Sequence, residues 1–201
     1  MKNVCLLLAL IAWFQTSAQE KTRIETKGYI GLSLGPSFPL GNFADKNSDN
    51  NKAGYAKTGI GITLANFGYK FGKHLGISAA LLSSVNSARS KDLPMQSPMP
   101  WSLFSFLVGG LYTKNIGTSY FDGRCMVGYA TISSPSYYFI DWDSASSFSY
   151  MFGIGIRPRI GNRFSLNFTL DYFHTKPTFE ENNEQPISCV FVNGGFAYLL
   201  K

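Results

Sequence analysis

Thiols and imidazoles are scarce in this chain, with three cysteines and two histidines in 201 residues. Cys5 sits in an N-terminal apolar run, so an exported chain keeps Cys125 and Cys189. The strand pattern below puts these two on the fifth and eighth strands, which are not neighbours. They are therefore expected as small buried apolar residues and not as a disulfide. Long apolar runs are also missing. The run from Val4 to Phe14 is 11 residues, too short to cross a bilayer as a helix. It follows a basic start, Met1-Lys2-Asn3, and precedes the small residues Thr16-Ser17-Ala18. That is the layout of a secretory signal peptide over residues 1–18, cleaved after Ala18, with a short tail at 19–27. Cys5 precedes most of the apolar core, so it is not placed for lipid attachment. Acid is in short supply, with 12 Asp and Glu against 18 Lys and Arg, a formal charge of +6. Nucleic-acid binding needs a basic face with aromatic or helical presentation. These charges are scattered along an exported chain, and no nucleic-acid partner is expected.

What fills the chain instead is alternation. From Lys27 onward the hydrophobic period is two and never convincingly helical. Gly28 to Phe38 sets Ile30, Leu32 and Leu34 against Gly31, Ser33 and Gly35. Thr58 to Tyr69 sets Ile60, Ile62 and Leu64 against Gly61, Thr63 and Ala65, and Leu75 to Val85 opposes Leu75, Ile77, Ala79 and Leu81 to Gly76, Ser78, Ala80 and Leu82. Ser102 to Tyr112 is apolar on both faces, with Phe104, Phe106 and Val108 assigned outward. Ser119 to Ile132 alternates Phe121, Cys125, Val127 and Tyr129 with Asp122, Arg124, Met126 and Gly128. Ser147 to Arg157 puts Phe148, Tyr150, Phe152, Ile154 and Ile156 on one side, and Phe164 to Phe173 repeats the pattern with Phe164, Leu166, Phe168, Leu170 and Tyr172. A last strand from about Ser188 makes eight.

The connections alternate too. Gly41–Lys57, Asn86–Pro100, Ser133–Ala145 and His174–Ile187 are long and polar, whereas the segments near 70–74, 113–118 and 158–163 are short. Four long loops alternating with three short turns is the topology of an all-β, eight-stranded antiparallel up-and-down barrel with both termini at the short-turn end. A secreted carrier barrel has the same topology turned inside out. Charge decides between them. Lys201 aside, only Asp122, Arg124, Arg157 and Asp171 fall inside the eight strands, and all four share the small, polar face. A water-facing exterior of Ile, Leu, Phe and Tyr without charge would aggregate, while a lipid-facing one penalises a midplane Lys or Arg by about 2–4 kcal/mol. The apolar face is therefore expected to meet lipid, and the polar face to line the lumen. Tyr112, Tyr120, Phe148, Phe164, Tyr172 and Tyr198, near strand ends, are expected in the interfacial girdles.

The chain closes on Asn193-Gly-Gly-Phe-Ala-Tyr-Leu-Leu-Lys201. Here Phe196, Tyr198 and Leu200 point one way and Gly195, Ala197 and Leu199 the other. With Asn193, Gly195, Tyr198 and Leu200, this stretch resembles the C-terminal strand signal of outer-membrane β-barrel proteins. Together with the opening Gly-Tyr-Ile-Gly-Leu-Ser-Leu-Gly-Pro run at 28–36, it makes residues 28–201 resemble the small outer-membrane β-barrel family, the group containing the OmpA-type transmembrane domain of Gram-negative bacteria. The OmpA type continues into a peptidoglycan-binding domain. This chain stops at Lys201, so cell-wall tethering is not expected. The resemblance implies an outer-membrane location with periplasmic termini, contacts with lipid and lipopolysaccharide, delivery to the barrel-insertion machinery and a monomeric barrel.

Eight strands leave a lumen that side chains fill, so its charges need partners. If the fifth and sixth strands pair symmetrically about a point near 139, Asp122 falls opposite Arg157 and Arg124 opposite Gly155. An Asp122–Arg157 pair near the short-turn end, with Arg124 within reach, is expected as a plugging salt bridge or as a gate for small ions. Asp171 lies nearer the outside by that register, and the pattern names no partner for it. The short turns hold Lys70, Lys73, Lys114, Arg159 and Arg163 without one acid, which suits either anionic lipid head groups or a solvated rim. A rim lipid hydrolase would need His174 within reach of both a hydroxyl and a carboxylate. Yet His174 is followed by Thr175-Lys176, where such enzymes resemble a His-x-Ser pattern. Asp141, Asp143 and the acids at Glu180, Glu181 and Glu184 lack ligand spacing, so no metal and no cofactor is expected. His74 is expected to be solvated, and Tyr137-Tyr-Phe-Ile-Asp-Trp142 to pack over the barrel mouth or form a binding surface. The expected function is structural or surface-interaction, with no catalysis. A narrow porin-like channel is the alternative, and the fill of the lumen discriminates the two.

Overall fold

The computed structural model describes residues 26–47, 52–88, 100–134, 144–179 and 184–201. Eight strands follow in order: β1 (Gly28–Leu40), β2 (Gly59–Lys70), β3 (Leu75–Asn86), β4 (Trp101–Ile116), β5 (Ser119–Ser133), β6 (Ser144–Pro158), β7 (Phe164–Thr175) and β8 (Ile187–Leu200). Each pairs antiparallel with its sequence neighbours, and β1 closes onto β8 from Gly28↔Leu200 to Leu40↔Ser188. No edge is left unpaired, as a sheet lying in hydrocarbon requires, because a free N–H or C=O there costs several kcal/mol. The expected signal peptide, the cleavage site after Ala18 and residues 19–25 of the tail lie outside the described residues. So do Tyr137–Trp142, Asp141, Asp143, Glu180 and Glu181.

The period of two fixes which face each residue takes. Ile30, Leu32 and Leu34 on β1, Phe104, Phe106 and Val108 on β4, Phe148, Phe152, Ile154 and Ile156 on β6, and Phe196 on β8 are exposed on the outer wall. The residues between them are buried or small and point inward. One irregularity breaks this parity. Leu64 and Ala65 form a bulge in β2, with Thr63 paired to Leu82 and Ala65 already to Leu81. The bulge flips the rest of β2, so Asn66 and Gly68 are buried inside while Tyr69 is exposed. The expectation that Ala65 shares the inner face of Gly61 and Thr63 is thereby corrected.

Two further expectations change. The β4–β5 hairpin runs through to Ile116↔Ser119, leaving Gly117 and Thr118 as its whole turn, with Gly117 at φ +60°. The β5–β6 ladder is slipped by two residues from the expected register, with Asp122 opposite Gly155, Arg124 opposite Gly153 and Tyr120 opposite Arg157. A two-residue slip keeps every side chain on its own face. The observed register puts the long inward side chains Asp122 and Arg124 opposite glycines, which is how a narrow barrel interior finds room for them.

The lumen is layered. Toward the long-loop end, Leu82, Leu107, Met126, Ile132, Met151, Phe173 and Phe191 form one buried apolar cluster. Loop bases extend it. The Phe43 and Phe179 rings pack against the Trp101 indole, with centroids 5.5 and 6.1 Å away, and Trp101 Nε1 donates to the Gly54 carbonyl at 2.8 Å. Toward the short-turn end a smaller cluster holds Tyr29, Leu111, Tyr120, Ala197 and Leu199. Between the two lies a polar belt carrying the strand charges.

Candidate functional site

The belt is built from two ion pairs on β5, β6 and β7. Arg157 Nε and Nη2 donate to the two oxygens of Asp122, the Nη2 bond at 3.0 Å, and the Thr113 hydroxyl donates to the same carboxylate at 2.7 Å. The two residues meet diagonally, because Arg157 pairs in the ladder with Tyr120. Its guanidinium lies 3.6 Å from the Tyr29 ring centroid and 5.0 Å from that of Tyr120. Both rings present their electron-rich faces to a cation that has left water, which offsets part of its desolvation. Thr26 donates to the Tyr120 hydroxyl at 2.7 Å and so helps fix that ring.

Arg124 does not join this pair. Its Nε and Nη2 donate to Asp171 at 2.9 and 2.6 Å, and its Nη1 donates across the lumen to the Asn66 amide oxygen at 2.8 Å. Asp171 also accepts from the Thr169 hydroxyl at 2.8 Å. Arg124, Gly153 and Asp171 stand at one level on three consecutive strands, and the middle residue decides the contact. A Cβ at Gly153 would collide with Asp171 Oδ1 and come within 2.9 Å of Arg124 Nε. Glycine there lets arginine and aspartate meet over the top of β6. Around the pairs lie buried groups without a hydrogen-bond partner among the described residues: Ser33 Oγ, Asn66 Nδ2, Asn167 Nδ2 and both side-chain polar atoms of Asn193.

A lumen lined by two compensated ion pairs, inside a closed barrel with an apolar exterior, is the construction of a membrane barrel. The model of the outer membrane protein beta-barrel domain matches residues 5–198. The chain belongs to that family. Among solved structures, the barrel is similar to Neisserial surface protein A, with a TM-score of 0.62 at 11% identity over 85% of this chain and 96% of that one. It is also similar to the outer membrane protein OprG of Pseudomonas aeruginosa, with a TM-score of 0.51 at 12% identity over 90% and 99%. At these identities the likeness is one of fold. No curated protein matches the chain. The protein is thus an outer-membrane β-barrel, and as in other members the short turns and both strand termini face the periplasm while the long loops face outward.

In this frame the other candidates separate. Tyr112, Phe148, Phe164, Tyr172 and Tyr198 take the outward face near strand ends, but Tyr120 is buried beneath Arg157 and is no girdle residue. It shares the parity of Asp122 and Arg124, which should have assigned it inward. Cys189 is buried in the lumen, whereas Cys125 is exposed on the outer wall, correcting the expectation that both are buried; both thiols are free. His74 is not merely solvated. Its Nδ1 lies 3.1 Å from the Thr113 carbonyl and its ring lies, tilted by 31°, 5.6 Å from that of Tyr112.

His174 projects outward at the outer rim, where its ring lies 5.1 Å from that of Tyr150 and its Nδ1 is 2.9 Å from the Ser188 hydroxyl. Among the described residues, the two adjacent acids are committed elsewhere. Asp171 faces the lumen, and Glu184 pairs with Lys176 at 2.6 Å.

On β8, Asn193 is buried in the polar belt while Tyr198 accepts a hydrogen bond from Arg163 Nη1 at 3.2 Å at the periplasmic rim. A Cβ at Gly195 would strike the Leu32 carbonyl and sit 2.6 Å from the Ser33 Cα, so this glycine permits the close seam between β8 and β1. Leu200 pairs with Gly28 at the end of that seam. Sequence reasoning missed Asn66 and the Phe43–Trp101–Phe179 cap. The first was readable from the parity change between Leu64 and Phe67, the second only as lone aromatics in polar segments.

Proposed function

We propose that this protein is a structural and surface-interaction element of the outer membrane, a barrel whose lumen is plugged by side chains, with no catalysis, that offers its long loops to a ligand outside the cell. One observation carries the plugged lumen: the apolar cluster from Leu82 to Phe191, capped by Phe43, Trp101 and Phe179, fills the outer half of the interior. The absence of catalysis is supported by His174. It meets a hydroxyl through Nδ1, but among the described residues the candidate carboxylates Asp171 and Glu184 are held by Arg124 and Lys176. The same reading has residues 1–18 as the cleaved signal peptide, and Asn193, Gly195, Tyr198 and Leu200 as the strand signal read by the insertion machinery. The mature barrel would be a monomer in contact with lipid and lipopolysaccharide.

A narrow porin-like channel is the second reading, favoured by the unpartnered Ser33, Asn66, Asn167 and Asn193 groups in the belt, since buried amides of this kind call for water. Conductance of the refolded 19–201 protein in a planar lipid bilayer separates the two. Inserted, silent protein is the expected result. Steady single-channel steps that change in an Arg124→Ala variant would replace the plugged barrel with the pore.

A further inference from the structure

The cap over the barrel mouth rides on a piece of chain with its own internal bonding. After β1 ends at Leu40, the 3-10 turn Gly41–Phe43 carries the Phe43 ring into the mouth, and residues 54–56 return alongside it. Gly54 N–H donates to the Asn42 carbonyl at 2.8 Å, Tyr55 N–H to that of Asp45 at 3.0 Å and Ala56 N–H to that of Phe43 at 2.9 Å. This flap leaves β1 through Gly41, at φ +55°, and rejoins the wall through Tyr55, at φ +52°. Around Gly41 there is open space, where a Cβ would meet nothing within 4 Å. Tyr55 is the one non-glycine residue with a positive φ among the described residues. An L-residue is strained there, and such strain persists where the closed arrangement imposes it.

Under the flap, Phe43 fills a site the size of one ring. It is 2% exposed, stands edge-on to the Trp101 indole and shares a buried cluster with Ala56, Ala88, Leu103 and Ile187. The fit is close, since a Cβ at Gly54 would come within 2.9 Å of Phe43 Cδ2. Two side-chain bonds pin the flap down: Trp101 Nε1 to the Gly54 carbonyl at 2.8 Å and Gln185 Nε2 to the Lys52 carbonyl at 2.9 Å. A flap that swings out leaves behind an apolar ring site and an indole N–H without its acceptor, and a buried donor left unmet is costly. The molecule that replaces both groups is a single aromatic ring bearing a hydrogen-bond acceptor.

We propose that Phe43 is the built-in occupant of a binding site at the barrel mouth, and that the flap swings about Gly41 and Tyr55 to admit a small single-ring aromatic molecule carrying a hydroxyl or carbonyl group. The site rests on the plugged-lumen reading, because the apolar cluster below supplies its floor. Ring and ligand compete for one place, so arrival of the ligand displaces the first outer loop.

The test uses the refolded 19–201 protein in lipid vesicles, with Trp142→Phe so that Trp101 is its sole indole, titrated with phenol and with benzene. Phe43→Ala gives the affinity of the emptied site, since an apolar cavity takes up such rings. A flap open about a tenth of the time or less makes the Phe43-containing protein bind phenol at least roughly tenfold more weakly, and still saturably. Gly54→Ala keeps the ring but crowds it. This variant should bind phenol more tightly than its Gly54 parent and let acrylamide quench Trp101 more strongly, and it serves if Phe43→Ala does not fold. Benzene, which offers the indole only its ring face, should bind several-fold more weakly than phenol. No saturable response from the Phe43-containing protein overturns the proposal, as does a Gly54→Ala variant that behaves like its parent. Equal affinity for the two probes overturns the assigned ligand class. Bilayer conductance keeps the two readings apart: silent protein that binds no phenol refutes the flap alone, whereas steady steps from the unmodified protein refute the plugged lumen beneath it.

Discussion

Replacing Arg124 by Met and Asp171 by Leu, singly and together, should give a double variant more stable than either single one. Both side chains are nearly inaccessible, at 3% and 2% relative exposure. In Asp171→Leu the guanidinium loses both carboxylate bonds and keeps the Asn66 amide oxygen. In Arg124→Met the carboxylate keeps only the Thr169 hydroxyl. Breaking a buried pair from one side costs about 3–5 kcal/mol, because the remaining charge is stranded, whereas replacing both partners by apolar groups of similar volume is close to neutral or stabilising. With a urea slope near 2 kcal/mol per molar, each single variant should lower the unfolding midpoint by roughly 2 M. The double variant should recover most of that loss. Trp101, buried at the outer mouth, provides the fluorescence signal in lipid vesicles. Single effects that simply add, to within about 0.5 kcal/mol, would refute the pairing and the reasoning about desolvation behind it.

Gly153→Ala should cost about 1–3 kcal/mol by overpacking, and little further when combined with Asp171→Ala, which removes the oxygen its methyl would strike. The same urea titration measures both. Arg157→Lys keeps the charge but loses the two-pronged bond to Asp122 and the planar stack on Tyr29, and should destabilise by about 1–2 kcal/mol; an unchanged midpoint would mean that the ring contact and fork contribute nothing. In the folded barrel a water-soluble maleimide should leave both thiols unmodified, Cys125 because it faces lipid and Cys189 because it is buried in the lumen, and both should react after unfolding. Mass spectrometry of the labelled peptides tells the two apart, and early labelling of Cys189 would contradict the inward parity of β8.

The eight strands and their faces were legible because the pattern has a single period and the two faces differ so sharply in chemistry. The charge argument worked for the same reason: a residue such as Arg124 has only one tolerable direction. What was illegible depends on the third dimension. The Asp122–Arg157 contact is between adjacent strands, so a register drawn in the plane reaches it even when slipped by two. The Arg124–Asp171 contact skips β6, and nothing in a flat ladder indicates that curvature and the absence of a side chain at Gly153 bring β5 and β7 together. The bulge at Leu64–Ala65 was visible as a broken spacing, but its consequence, Asn66 turned inward to meet Arg124, needs the barrel closed. The cap of Phe43, Trp101 and Phe179 belongs to loop bases whose approach no periodicity encodes.

The way Arg124 is satisfied also orders the assembly of the barrel. A β5–β6 hairpin by itself already contains everything needed for the Arg157–Asp122 pair, so that charge can be neutralised locally as soon as two strands meet. Arg124 gains its carboxylate only when β7 adds to the hairpin, and its Asn66 bond only when β2 arrives from the far wall. One guanidinium therefore records two separate stages of closure. Until the last of them it carries hydrogen-bonding capacity that hydrocarbon cannot meet, which disfavours a half-formed sheet spreading into the bilayer and favours the completed cylinder.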